Sequence, residues 1–101
     1  MADRLSLQTK LEQLLGSRNV YYQPPTSVVM KYPAIVYSKA NKNGTFANDK
    51  RYSKLQSYEL IVIDRKPDNP VIDKLLDLPY CSYVRPYVAD NLYHDVLTLY
   101  Y

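Results

Sequence analysis

Two side chains in this chain are candidates for nucleophilic or metal chemistry: a single cysteine, Cys81, and a single histidine, His94. A Cys–His dyad needs thiol and imidazole within hydrogen-bond reach. Both fall within residues 79–101, PYCSYVRPYVADNLYHDVLTLYY, which read as two strands joined by a tight turn. Asp90-Asn91 is the turn, because both residue types tolerate positive φ and bond their own backbone. With those two as the loop, Val88 meets Tyr93, Val84 meets Leu97 and Tyr80 meets Tyr101, apolar on apolar. Pro86 then opposes Asp95, which marks an edge position or a bulge, since proline gives the ladder no donor. His94 faces Tyr87, and Cys81 faces Tyr100. Histidine and cysteine are therefore six residue steps apart along the strand, roughly 20 Å at about 3.3 Å per residue. No dyad is expected, and one histidine with one cysteine cannot fill a zinc ligand set.

The remaining chemistry is as spare. Asp64 and Asp68 flank Lys66 and Pro67 in a loop, where capping and turn formation account for them. Gly16 and Gly44 are the two glycines, so neither a phosphate-cradling loop nor a dinucleotide fingerprint is present. The expectation is a protein without catalytic residues, metal or cofactor.

What the composition favours is contact. Twelve tyrosines stand against one phenylalanine and no tryptophan, and tyrosine offers a large area with a polar tip, as interfaces use. Tyr80, Tyr83, Tyr87, Tyr93, Tyr100 and Tyr101 lie in the C-terminal hairpin. The net charge is +3, unevenly spread. Residues 39–54 hold Lys39, Lys42, Lys50, Arg51 and Lys54 against Asp49, whereas residues 67–101 hold five aspartates against Lys74 and Arg85. Such ends suit a head-to-tail assembly, or else a solvated loop and a solubilising surface. Residues 40–54 form a long polar loop, and loops of this length in compact domains are usually functional or disordered. Its candidate interface residues are Lys42, Phe46, Lys50, Arg51 and Lys54, with Phe46 as the apolar anchor. The loop is expected to be mobile in the free subunit and ordered against a neighbour.

The elements that position these residues follow from periodicity. Residues 3–15 read as an amphipathic helix, with Leu7, Leu11, Leu14 and Leu15 on one face, Asp3 as cap and Gly16 past its end. Residues 19–23 read as a short edge strand ended by Pro24-Pro25, with residues 28–31 as its continuation after a turn. Residues 33–39 and 55–64 read as antiparallel strands, the second with an apolar centre at Leu60–Ile63. Residues 71–78 read as a short helix, capped by Asp68 or Asn69 and stopped by Pro79, with Ile72, Leu75 and Leu76 as its apolar stripe. The fold class is α+β: a mostly antiparallel sheet of four to five strands with two helices on one face, in the order α-β-β-β-α-β-β. The whole chain, residues 1–101, is read as one domain with a flexible loop at 40–54. The expected core is Leu11, Leu14, Ile35, Leu60, Val62, Leu75, Leu76, Val84 and Leu97. No stretch is long enough to span a bilayer and no signal-peptide pattern is present, so an intracellular protein or an assembly built inside a cell is expected. A lone cysteine fits a reducing compartment, with Cys81 as a buried small hydrophobe. A sheet with exposed aromatics can also stack bases, but the tyrosine-rich hairpin carries only Arg85 as a cation.

Several stretches carry a resemblance: the YP-I-Y pattern at residues 32–37, VIDR-PD at 62–68, LPYC at 78–81, ADNL-H at 89–94 and the closing LYY. Over roughly residue 11 to the end, the chain resembles small morphogenesis proteins encoded among the head–tail connection genes of long-tailed bacteriophages. Its element order is also similar to that of tail terminator (tail completion) proteins. The resemblance implies a structural protein of the virion neck, assembled in the bacterial host cytoplasm. It would form a homohexameric ring that caps the tail tube and joins tail to head. The implied partners are further copies of itself, the tail-tube protein and the head-closure or connector protein. No membrane is implied, and no nucleic acid except DNA passing through the ring. Alternatives are a head-closure or adaptor protein of the same neck, or a small nucleic-acid-binding α+β domain. The family has no catalytic motif to carry over.

Overall fold

The computed structural model describes residues 4–25, 27–40 and 55–101. The interface residues expected on the basic loop, Lys42, Phe46, Lys50, Arg51 and Lys54, and the cap expected at Asp3, lie outside the described residues.

The elements are α1 (Arg4–Leu15), β1 (Val20–Tyr22), β2 (Ala34–Lys39), β3 (Ser57–Asp64), α2 (Val71–Leu76), β4 (Cys81–Ala89) and β5 (Leu92–Tyr100). The strands form one five-stranded sheet in the order β1-β2-β3-β5-β4. β1 runs parallel to β2, and the other neighbours are antiparallel. The class is α+β, and both helices pack on one face. That face presents Val20, Ile35, Tyr37, Tyr58, Leu60, Val62, Leu97 and Leu99 to Leu7 and Leu11 of α1 and to Val71 and Leu75 of α2.

Local chemistry ends α1 and starts α2 where the sequence says it should, but α2 stops at Leu76, two residues short of the 71–78 expected. Gly16 takes φ +80° and donates its N–H to the Glu12 carbonyl at 2.9 Å, closing α1 with a left-handed residue that costs glycine little. Before α2, the Asn69 side-chain oxygen accepts from the Val71 N–H at 2.8 Å, and Asn69 Nδ2 donates to Asp64 Oδ2 at 2.6 Å. Asp64 thus braces the turn rather than pairing with Asp68 as a carboxylate couple.

Four expectations need correction. Leu76 is 38% exposed, because α2 ends there and is too short to bury a second stripe; Leu75 carries the contact. Leu14 is half-buried at the margin of the core. Residues 28–31 do not extend the sheet: after Gln23 the chain turns away, and Val28 N–H bonds the Pro25 carbonyl at 3.1 Å. Val84 is 52% exposed, because the last two strands do not keep one register along their whole length.

A candidate protein-docking surface on the β4–β5 hairpin

Asp90 and Asn91 take φ +53° and +61°, the left-handed pair that a two-residue type I′ turn requires. From that turn the strands pair as expected through Ala89↔Leu92, Val88↔Tyr93, Tyr87↔His94, Pro86↔Asp95 and Arg85↔Val96. Then the register slips by one: Tyr83, not Val84, meets Leu97, and Cys81, expected opposite Tyr100, meets Leu99 instead. Val84 is therefore the extra residue of a β-bulge, left without a cross-strand partner and turned outward. The unbroken register inferred from sequence holds near the turn and fails beyond Arg85. One residue of bulge moves Tyr83 and Cys81 onto the helix-bearing face. Counting outward from the turn, Pro86 stands at a non-hydrogen-bonded pair, where its missing N–H costs the ladder nothing.

β4 is an edge strand, and the helices do not reach the turn end of its hairpin. Burial along β5 shows where cover stops. Leu99 and Leu97 are fully buried, Asp95 is half-buried and Tyr93 is 40% exposed. α2 has six residues, about 9 Å of helix at 1.5 Å per residue, against nine residues in each hairpin strand. Beyond its reach on the helix-bearing face lie Tyr83 (41% exposed), Val88 (64%) and Tyr93. Tyr83, Val88 and Tyr93, together with Pro67, Asp68, Pro86 and Asp95, wall a groove of about 320 Å³. Exposed apolar residues grouped in this way make the groove the candidate interaction surface of the described residues.

The Tyr83 hydroxyl donates to Asp95 Oδ1 at 2.6 Å. That bond to a carboxylate, with some desolvation and the nearby charges of Asp95 and Asp68, pushes the Tyr83 pKa from 10.0 up to about 12. An unfolded chain loses this proton near pH 10, while the folded chain keeps it to about pH 12. The stability linked to it is therefore intact below about pH 10 and lost as the pH rises through about 12. Thermal unfolding followed from about pH 9 to about pH 12 should show a steeper alkaline loss in the native protein than in Tyr83→Phe. Equal slopes would show that this pair is not formed in solution.

The outer face of the hairpin carries a second group. The His94 ring stacks on Tyr87 with centroids 4.5 Å apart and planes at 14°, and Arg85 lies 5.0 Å over the same tyrosine. His94 Nδ1 sits 3.0 Å from the Leu92 carbonyl, which calls for the proton on Nδ1. Cys81 is on the other face, opposite Leu99, so thiol and imidazole point to opposite sides of the sheet. Burial pushes the Cys81 thiol from 9.0 up to about 11, away from the low values that make a cysteine nucleophilic. In the native protein at neutral pH, Cys81 should react with iodoacetamide far more slowly than a free thiol, and at the free-thiol rate once the chain is unfolded in guanidinium. A native rate matching the unfolded one would place the thiol in an open, activated setting.

Among the described residues, no group of three or more His, Cys, Asp and Glu side chains is placed to hold a metal ion. No helix among them is long and apolar enough to cross a membrane. The sequence reading placed its named interface residues on the basic loop; it gave the hairpin its contact-prone tyrosines and acidic charge but not this groove. The available signal was Pro86 facing Asp95 on the apolar face of a half-buried strand, the mark of an edge or a bulge. Comparison with family models, with curated proteins and with solved structures found no match.

Proposed function

We propose that the chain is a structural subunit of the neck of a long-tailed bacteriophage, a tail terminator that assembles as a homohexameric ring, caps the tail tube and joins tail to head. The observation that supports this reading best is the uncovered surface of the β4–β5 hairpin. The sheet seals one face under two helices, yet it leaves Tyr83, Val84, Val88 and Tyr93 in solvent on the hairpin at its edge. A small domain gains nothing in isolation from such a surface, and a subunit of an assembly buries it. The resemblance of residues 32–37, 62–68, 78–81 and 89–94 to head–tail connection proteins selects the phage neck among assemblies. In this reading, shape and charge carry the function.

The test is tail-tube polymerisation in vitro. Added in substoichiometric amounts, the protein should halt elongation and remain at one tube end, visible by electron microscopy. Tubes that grow to the same length with and without it would refute the terminator role. A second reading has one observation in its favour: Arg85, Tyr87 and His94 stack on the outer face, as a base-stacking platform would require. A monomer that retards single-stranded oligonucleotides, and loses this in Tyr87→Ala, would select that reading instead.

A further inference from the structure

We propose that the ring closes head to tail, with residues 28–31 of one copy seated in the hairpin groove of the next. The proposal rests on the self-assembling reading above and names the two surfaces that meet. They lie on opposite margins of the molecule. β1 and β4 are the two edges of the five-stranded sheet, about 19 Å apart for four interstrand steps of about 4.8 Å. Residues 28–31 belong to the β1 margin: the Lys31 N–H donates to the Tyr21 hydroxyl at 3.3 Å, and Asn19 Nδ2 donates to the Pro33 carbonyl at 3.2 Å. A contact between two different patches on opposite sides is heterologous, and heterologous contacts generate rings when the rotation closes.

The two surfaces complement each other. Val29 is 89% exposed, and Val28 beside it is 36% exposed. Among the described residues nothing covers this valine, although its segment is tied down on both sides. Lys31 follows two residues later, and residues 1–40 also carry Arg4, Lys10, Arg18 and Lys39 against Asp3 and Glu12. The groove offers the reverse. Its walls are Pro67, Pro86, Val88 and Tyr93, and its polar groups include the carboxylates of Asp68 and Asp95. The Tyr83 hydroxyl holds Asp95 in place, so that carboxylate is oriented before any partner arrives. Val29 supplies an apolar anchor for the walls, and Lys31 supplies the charge for the two aspartates.

The hairpin edge also limits how the contact can form. Pro86 withholds a backbone donor, and the Val84 bulge breaks the line of the strand. Both devices discourage the strand-on-strand addition that an open edge invites. Side-chain insertion into the groove remains, and it gives a contact of fixed angle.

The test is a cysteine pair, Val29→Cys with Val88→Cys, oxidised under mild conditions and run on denaturing gels. Both positions are exposed, so folding is checked by circular dichroism and should be unchanged. The double variant should give a ladder of covalent multimers beyond the dimer, and each single variant should stop at dimer or monomer. In parallel, Val29→Asp should raise the concentration at which multimers form by tenfold or more without lowering the melting temperature. If the native protein assembles while the double variant gives no ladder and Val29→Asp assembles normally, the docking proposal is wrong and the ring reading stands. If the native protein stays monomeric at every concentration and beside tail tubes, both fall.

Discussion

Leu60→Ala should lower the free energy of unfolding by about 2–5 kcal/mol, the range for truncating a fully buried leucine and leaving a cavity. Leu60 is 0% exposed, on the central strand β3, between Tyr37 of β2 and Leu97 of β5 in the sheet register. Its neighbours on both sides are themselves fixed by strand pairing, so the site has little freedom to collapse around the lost volume. A domain of this size has about 5–15 kcal/mol to lose; the variant should shift a chemical denaturation midpoint well outside error. Leu76→Ala and Val84→Ala serve as controls. The sequence reading grouped them with Leu60, but both are exposed, and each should change stability by no more than about half a kcal/mol. A Leu60→Ala loss as small as theirs would contradict the placement of β3.

Tyr37→Ala should cost about 3–5 kcal/mol, as for other buried aromatics, and for reasons beyond volume. Tyr37 is 1% exposed and joins α1 to the sheet. Its hydroxyl donates to Gln8 Oε1 at 2.5 Å and accepts from Arg4 at 3.4 Å. Gln8 in turn donates to the Val20 carbonyl at 3.0 Å, so one side chain ties α1 to both β1 and β2. The ring packs tilted against Tyr22 at 4.9 Å and Tyr58 at 6.0 Å between centroids, and Arg4 covers Tyr22 at 4.3 Å. Burial raises the Tyr37 pKa above its ordinary value, even with Arg4 alongside to lower it. Tyr37→Phe keeps the ring and should cost about 0.5–1.5 kcal/mol, the net worth of a hydrogen bond. Chemical denaturation of the two variants separates packing from polar tethering. If Phe and Ala cost the same, the ring contributes nothing and this account of the α1–sheet contact is wrong.

The fold was legible where periodicity and punctuation agree. Leu7 and Leu11 at helical spacing, Gly16 after them, Asn69-Pro70 before α2 and Asp90-Asn91 between the last strands each carry a local signal that tertiary packing had no reason to override. The bulge at Val84 was not legible as a position. A bulge is a compromise between the twist of the hairpin and what the next strand buries, and valine fits a buried or an exposed strand position equally well by propensity. Only pairing with β5 shows that Leu97 takes Tyr83. The same slip hid the docking surface, because the assumed register turned Val84 inward and put Tyr83, a wall of the groove, on the opposite face. Leu76 failed for a simpler reason. An apolar stripe on a short helix predicts more burial than six residues can provide, and the sequence does not state where the helix ends. The chemistry was easier to read: the hairpin pairing alone separated Cys81 from His94, and the bulge only added that they face opposite sides.

The central claim is that this chain is a subunit that assembles with itself, and native mass with symmetry tests it most directly. Purified protein at moderate salt, measured by native mass spectrometry and imaged in negative stain, should give a ring of six 11.8 kDa chains, about 71 kDa, with sixfold views. Charge reversal at the groove, Asp68→Lys with Asp95→Lys, should reduce that species to monomer. A monomer at all concentrations, with or without tail-tube protein, would contradict the account.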